Sequence, residues 1–155
     1  MPKPATPQPT PTALSRPAGY SGTPLAKKLG ISATTRLAAL GAPADYEALL
    51  APWPEGARIS RTLVADADLV HLFATERDAL AGELARLRRR LGDDVPLWVS
   101  WPKKASRVPT TLTEDVLREL ALPLGFVDVK VCAVSDVWSG LKLVVRKELR
   151  GRRAG

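Results

Sequence analysis

The sequence predicts a single α/β domain, a mostly parallel open sheet between two helical layers that ends in an antiparallel β-ribbon. Three observations carry that prediction. Short β-type runs alternate with helix signals through the middle of the chain, the pattern that builds parallel sheets with helices on their faces. The run at residues 69–74 is almost continuously apolar, as a central parallel strand covered on both faces must be. The last part switches to alternation, with Val127, Val129 and Val131 against Asp128, Lys130 and Cys132, then Leu141, Leu143 and Val145 against Lys142, Val144 and Arg146. Period two on either side of a turn at residues 135–140 marks two antiparallel strands. A chain of 155 residues with 45% hydrophobic content can bury one such core.

The elements follow in order. Residues 1–24 hold seven of the 14 prolines, so residues 1–21 are expected to form an extended, disordered tail. The folded domain is expected over residues 22–149, with a basic flexible end at 150–155. Thr23 as N-cap, Pro24 at the first helical position and Gly30 as stop define a short helix whose Leu25 and Leu29 close one edge or end of the sheet. Residues 35–40 form the first strand, and Asp45 caps a helix over 46–50. The turn Pro52-Trp53-Pro54-Glu55-Gly56 leads to a second strand at 57–64, and the central strand follows at 69–74. Thr75 and Asp78 form a capping-box signal for a helix whose Leu80, Leu84, Leu87 and Leu91 share one stripe. Its Arg86, Arg88, Arg89 and Arg90 complement the helix dipole as a solvated end. After the turn Gly92-Asp93-Asp94 comes a strand at 96–101, then a Thr111 to Glu114 helix start, with a helix over 112–121 stopped by Pro123 and Gly125. Right-handed crossovers place the strands at 35–40, 69–74 and 96–101 side by side, with the switch point of the sheet among them.

The charge is less informative than its total suggests. The net +7 divides into +2 over residues 1–24 and +5 over residues 142–155, and residues 25–141 carry 15 bases against 15 acids. A neutral body with basic ends is read as a solubility feature, with nucleic acid a possible but unfavoured partner. Cys132 is the single cysteine and His71 the single histidine, so neither an intrachain disulfide nor a structural zinc set is available, and no metal is expected. No apolar run approaches the roughly 18 residues of a membrane span, and the proline-punctuated start lacks a signal-peptide core. A cytoplasmic protein with no membrane partner is expected.

The order helix, strand-helix-strand, strand-helix-strand-helix and ribbon resembles a shortened class I methyltransferase, a Rossmann-like fold. One strand-helix unit is missing between the strands at 57–64 and 69–74. The resemblance implies a glycine-rich loop after the first strand and an acidic residue closing the second, to approach an adenosyl group and hold its ribose. Here the loop is Leu40-Gly41-Ala42-Pro43, with one glycine, and the acid, Asp66, is displaced into the connection. Phe73-Ala74-Thr75-Glu76 replaces the Asp-Pro-Pro-aromatic pattern of amino-group methyltransferases. No cofactor is therefore expected, and S-adenosylmethionine enters only with the alternative of a reduced methyltransferase.

The candidate site lies after the 96–101 strand, in Trp98-Val99-Ser100-Trp101-Pro102-Lys103-Lys104. Ligands of open α/β sheets sit beyond the carboxyl ends of the strands, where helix N-termini favour anions. Ser100, Lys103, Lys104, Thr110 and Thr111 are the expected anion contacts, with Gly41, His71, Trp101 and Trp138 as a pocket wall. His71 and Ser100 lie on neighbouring strands, but no Gly-x-Ser-x-Gly elbow surrounds the serine, so His71 is read as packed and no catalytic residue is assigned. Cys132, beside only Lys130, is read as inert. Trp98 is expected in the core, and Trp101 and Trp138 half exposed at strand ends.

A closer resemblance rests on four strings: residues 20–31, Trp101-Pro102-Lys103-Lys104, Thr113-Glu114-Asp115-Val116 and residues 137–144. Together they are similar to an uncharacterised bacterial family, domain of unknown function 3052, over about residues 20–149. That resemblance implies a small stand-alone protein and supplies no catalytic residue. The function expected is a non-catalytic domain binding an anionic small molecule, nucleotide or protein partner at the strand ends. A reduced S-adenosylmethionine-dependent methyltransferase is the first alternative, and a nucleic-acid adaptor using the basic ends is the second.

Overall fold

The computed structural model describes residues 23–150, so the expected tail at 1–21 and residues 151–155 of the basic end lie outside the described residues. Six strands form one sheet: β1 (Arg36–Leu40), β2 (Arg58–Ser60), β3 (Leu69–Phe73), β4 (Leu97–Pro102), β5 (Phe126–Ala133) and β6 (Trp138–Val145), in the order β2-β1-β3-β4-β6-β5. β1, β2, β3 and β4 pair in parallel, and β6 runs antiparallel to both β4 and β5. Four α-helices accompany them: α1 (Leu25–Leu29), α2 (Tyr46–Leu49), α3 (Arg77–Arg90) and α4 (Glu114–Ala121). The α/β class, the central trio β1-β3-β4 and the terminal ribbon are as the sequence predicts.

The alternation of side chains along each strand sorts the core into two. Ala38, Val70, Leu72, Leu97, Val99, Trp101, Leu141 and Leu143 point to the face covered by α3 and α4, where they meet Leu80, Leu84, Leu87 and Leu117. Leu37, Ala39, Leu69, Phe73 and Trp98 point to the other face, against Leu25 and Leu29 of α1 and Tyr46 and Leu49 of α2. α1 therefore covers a face of the sheet and not an edge or end, and the indole of Trp98 anchors it by donating to the Leu29 carbonyl at 3.0 Å. All five residues of β3 are buried, which explains their unbroken apolar character.

Several boundaries differ from expectation. β2 spans three residues where a strand over 57–64 is expected, because beyond Ser60 the hydroxyl turns back onto the Thr62 carbonyl and pairing with β1 stops. The chain then enters β3 with no intervening helix, so the strand-helix unit noted as missing is absent. Pro24, not Thr23, occupies the N-cap of α1, its carbonyl accepting from the Lys27 and Lys28 amides. The expected Thr75 capping box does not form. Glu76 is the N-cap of α3, and the Arg77 amide donates instead to the Thr111 hydroxyl at 2.7 Å. Thr111 being so engaged, α4 starts two residues later on Thr113, whose hydroxyl accepts from the Val116 amide. Within the arginine run Arg88 is enclosed, bonding the Leu124 carbonyl and Asp93, because the turn after α4 folds over it. Trp101 is buried among the α3 and α4 side chains and not half exposed. In β5 a register shift between Asp128 and Lys130 breaks the alternation, and Val129 and Val131 are half exposed on this edge strand.

Two glycines separate backbone strain from steric clash. Gly30 and Gly56 both have left-handed φ, +88° and +101°, but a Cβ at Gly30 meets nothing within 4 Å, whereas at Gly56 it would lie 2.7 Å from the Ala33 carbonyl oxygen. Gly30→Ala is expected to lower unfolding free energy by about 1 kcal/mol, and Gly56→Ala by roughly twice as much or more. Equal costs in urea titrations would show that the turn at Gly56 yields without resistance.

Candidate functional site

The strand order reverses between β1, which has β2 on its outer side, and β3, so the crevice of an open sheet belongs at their carboxyl ends. A cleft of about 330 Å³ opens there, lined by Gly41, Leu72, Phe73, Ala74, Thr75, Glu76, Ala79, Glu83 and Trp138. Gly41 follows β1 with φ +69°, and a Cβ on it would stand 3.0 Å from the Phe73 carbonyl oxygen. Glycine thus lets the β1 loop close against β3 at the cleft floor. The rim is the segment between β3 and α3. The Thr75 carbonyl accepts from the Thr110 hydroxyl at 2.6 Å and the Thr111 amide at 3.0 Å, so the loop after β4 holds it in place.

The inner wall is aromatic. Phe73 meets Trp138 edge-on with centroids 5.0 Å apart, stacks on His71 at 4.2 Å and meets Tyr46 edge-on at 5.4 Å. Behind it runs a buried polar chain. The Tyr46 hydroxyl lies 2.7 Å from His71 Nδ1, and His71 Nε2 lies 2.7 Å from the Ser100 hydroxyl. All three side chains are sealed from solvent. Burial drops the His71 pKa to about 3, so the ring is neutral at neutral pH, and burial pushes the Tyr46 phenol up. A neutral ring between two hydroxyls, with no opening to a substrate, does the work of a strut that fixes β3, β4 and α2 behind the cleft.

The sequence-predicted residues separate into three places. Gly41 and Trp138 line the cleft, and Trp138 is half-buried there. His71, Ser100 and Trp101 are buried, the first two in the polar chain and Trp101 on the opposite face of the sheet. Thr110 and Thr111 bind the Thr75 carbonyl and the Arg77 amide. Lys103 and Lys104 lie between β4 and α4, outside the cleft lining. The Lys103 amide donates to the Val137 carbonyl at 2.7 Å, and Lys104 begins a short 3-10 turn, Lys104–Ser106. The first turn of α4 carries Glu114 and Asp115, which offset the positive end of that helix. Burial pushes the Cys132 thiol up, against the weaker pull of Lys28 and Lys130.

Sequence reasoning missed Leu72, Phe73, Ala74, Thr75, Glu76, Ala79 and Glu83 as lining residues. The available signal was positional, since they occupy the end of the central strand, the connection after it and the first two turns of the next helix. The carboxyl end of β2 also departs from the methyltransferase pattern. Asp66 pairs with Arg36 at 2.8 Å, at the start of β1 and so at the far end of the sheet from Gly41. After β2 stands Arg61 instead, which donates to the Ala42 and Pro43 carbonyls and to Glu47 at 2.6 Å. Its hydrogen bond holds the Glu47 carboxyl below the usual carboxylate range. Among the described residues no group of three or more His, Cys, Asp or Glu side chains could hold a metal ion, and no helix is long and apolar enough to cross a membrane.

No family model matches the chain. No curated protein matches it either. Solved structures do. A SAM-dependent methyltransferase from Aquifex aeolicus is 12% identical with a TM-score of 0.57, over 78% of this chain and 87% of that one. An O-methyltransferase of neocarzinostatin biosynthesis, solved with S-adenosylmethionine, is 16% identical with a TM-score of 0.59, over 81% and 53%. Human N-acetylserotonin methyltransferase, also solved with SAM, is 12% identical with a TM-score of 0.55, over 78% and 50%. The chain thus spans about half the length of the last two. At these identities the likeness establishes the fold, which is methyltransferase-like. It also corrects one expectation. The absence of a cofactor was expected from a glycine-poor loop, yet neighbours with this fold hold S-adenosylmethionine, so the loop composition does not carry that conclusion.

Proposed function

We propose that the domain is a reduced S-adenosylmethionine-binding methyltransferase fold whose ligand enters the cleft between β1 and β3. The observation that carries this reading is the place of the cleft, at the switch point and floored by the close approach of Gly41 to Phe73. The residues fit one half of the ligand. An apolar wall of Leu72, Phe73 and Trp138 edged by Glu76 and Glu83 suits a sulfonium cation on an organic body. The ribose half fits less well, since the carboxyl end of β2 offers the engaged Arg61 guanidinium in place of an acid. The cleft volume is at the small end of the roughly 300–1,000 Å³ typical of ligand sites.

Calorimetry and thermal shift with S-adenosylmethionine and S-adenosylhomocysteine test the reading. A ligand at a hundred times its dissociation constant should stabilise the fold by about 2.7 kcal/mol. Gly41→Ala, which places a methyl group 3.0 Å from the Phe73 carbonyl, should weaken that binding. Absence of binding at millimolar concentration would end the proposal.

A second reading keeps Lys103 and Lys104 as contacts for an anionic small molecule, nucleotide or protein partner. It draws support from the bond between Lys103 and Val137, which brings this loop beside Trp138 of the cleft. Charge reversal at both lysines should then weaken nucleotide binding by about tenfold, and unchanged affinity sinks it. Membership in the family of unknown function also remains our proposal. Among the described residues its supporting strings fall on α1, the end of β4, the start of α4 and strand β6. The lone cysteine supports a cytoplasmic setting.

A further inference from the structure

Resting on the cleft as the binding site, we propose that the group it recognises beside Trp138 is a small organic ammonium with an apolar body. Three observations lead there. The ionisable side chains in the lining are Glu76 and Glu83, both acidic, and the lining contains no lysine, arginine or histidine. Arg86 bridges Glu83 at 2.8 Å and offsets part of its charge, and the carboxylate of Glu76 stands exposed at the rim. The amino end of α3 does not reverse this balance. Glu76 at its N-cap and Asp78 in its first turn counter the helix dipole, and the Arg77 amide is already taken by Thr111. An anion entering the cleft would lose water beside two carboxylates and gain no basic side chain from the lining.

The second observation is the wall. Trp138 lines the cleft, is half-buried, and packs edge-on against Phe73 with ring centroids 5.0 Å apart. Indole is the strongest side-chain partner for a cation over its ring, and Leu72, Phe73 and Ala79 add apolar surface for the rest of the ligand. The third is the fixed rim. With the Thr75 carbonyl doubly held, the site is shaped before any ligand arrives, so charge complementarity translates into selectivity.

The test uses the full 155-residue chain and three probes of similar shape: 2-phenylethylammonium, 2-phenylethanol and 3-phenylpropionate. In calorimetry at low salt, the ammonium should bind at least about tenfold more tightly than the carboxylate, with the alcohol between them. Glu76→Gln combined with Glu83→Gln should reduce ammonium affinity by about tenfold and leave alcohol affinity unchanged. Far-UV circular dichroism and melting temperature check that the variant is folded, which its exposed or half-exposed positions favour. Equal or tighter carboxylate binding, ammonium affinity unchanged by the double substitution, or no binding of any probe at 10 mM would each overturn the proposal. Binding of S-adenosylhomocysteine without ammonium selectivity refutes this inference and leaves the adenosyl reading standing. Ammonium selectivity without S-adenosylmethionine or S-adenosylhomocysteine binding does the opposite.

Discussion

Trp98→Ala should destabilise the protein by about 3–5 kcal/mol, the range for removing a fully buried indole. Trp98 is the second residue of β4, fully buried in one cluster with Leu29, Leu37, Leu69 and Val134, and its ring nitrogen donates to the Leu29 carbonyl. The substitution opens a cavity on the α1 face and leaves the Leu29 carbonyl, at the end of a five-residue helix, without that partner. So short a helix has little stability of its own. Trp98→Phe keeps most of the packing and loses the hydrogen bond, so it should cost roughly half as much. Urea titrations give both values, and a loss below about 1 kcal/mol for alanine would mean that α1 does not depend on this anchor.

His71→Ala is expected to be nearly as damaging, at about 3–4 kcal/mol, because it strands the Tyr46 and Ser100 hydroxyls in the core as well as emptying a ring volume. The histidine also makes a pH signature. Its pKa is near 6.5 in the unfolded chain and about 3 in the folded one, so below pH 6.5 the unfolded chain binds a proton that the folded one refuses. Stability is therefore full above pH 6.5 and falls as the solution is acidified, by about 2 kcal/mol between pH 7 and pH 5 from this group alone. His71→Gln can still bond both hydroxyls and cannot titrate, so its stability should be flat across that window. A parallel fall in both proteins would assign the acid sensitivity elsewhere.

The fold was legible because its strongest signals are local and periodic. The unbroken run of β3, the leucine stripe of α3 and the alternation of β6 each follow from burial on one or both faces. What stayed hidden depends on contacts between distant segments. Thr111 is sequence-adjacent to α4 yet caps α3, 34 residues earlier, and no spacing rule near either helix reveals it. Likewise Ser100 is at the end of a central strand, where ligands bind, but strand alternation turns it toward His71 and away from the cleft. The candidate site was half visible. Gly41 and Trp138 were named from their strand ends, whereas Glu76 and Glu83 sit among many exposed acids and gain meaning only from the cavity that they edge.

The double hold on the Thr75 carbonyl reaches beyond local geometry. Thr110 and Thr111 belong to the segment that enters α4, and the same Thr111 hydroxyl starts α3, so cleft rim and both helices are joined through two adjacent residues. A rim built in this way opens only with the helices that support it, and its amides should exchange with solvent at rates close to those of the core. For a ligand, the surface is rigid before the encounter, and association proceeds without waiting for a loop to order.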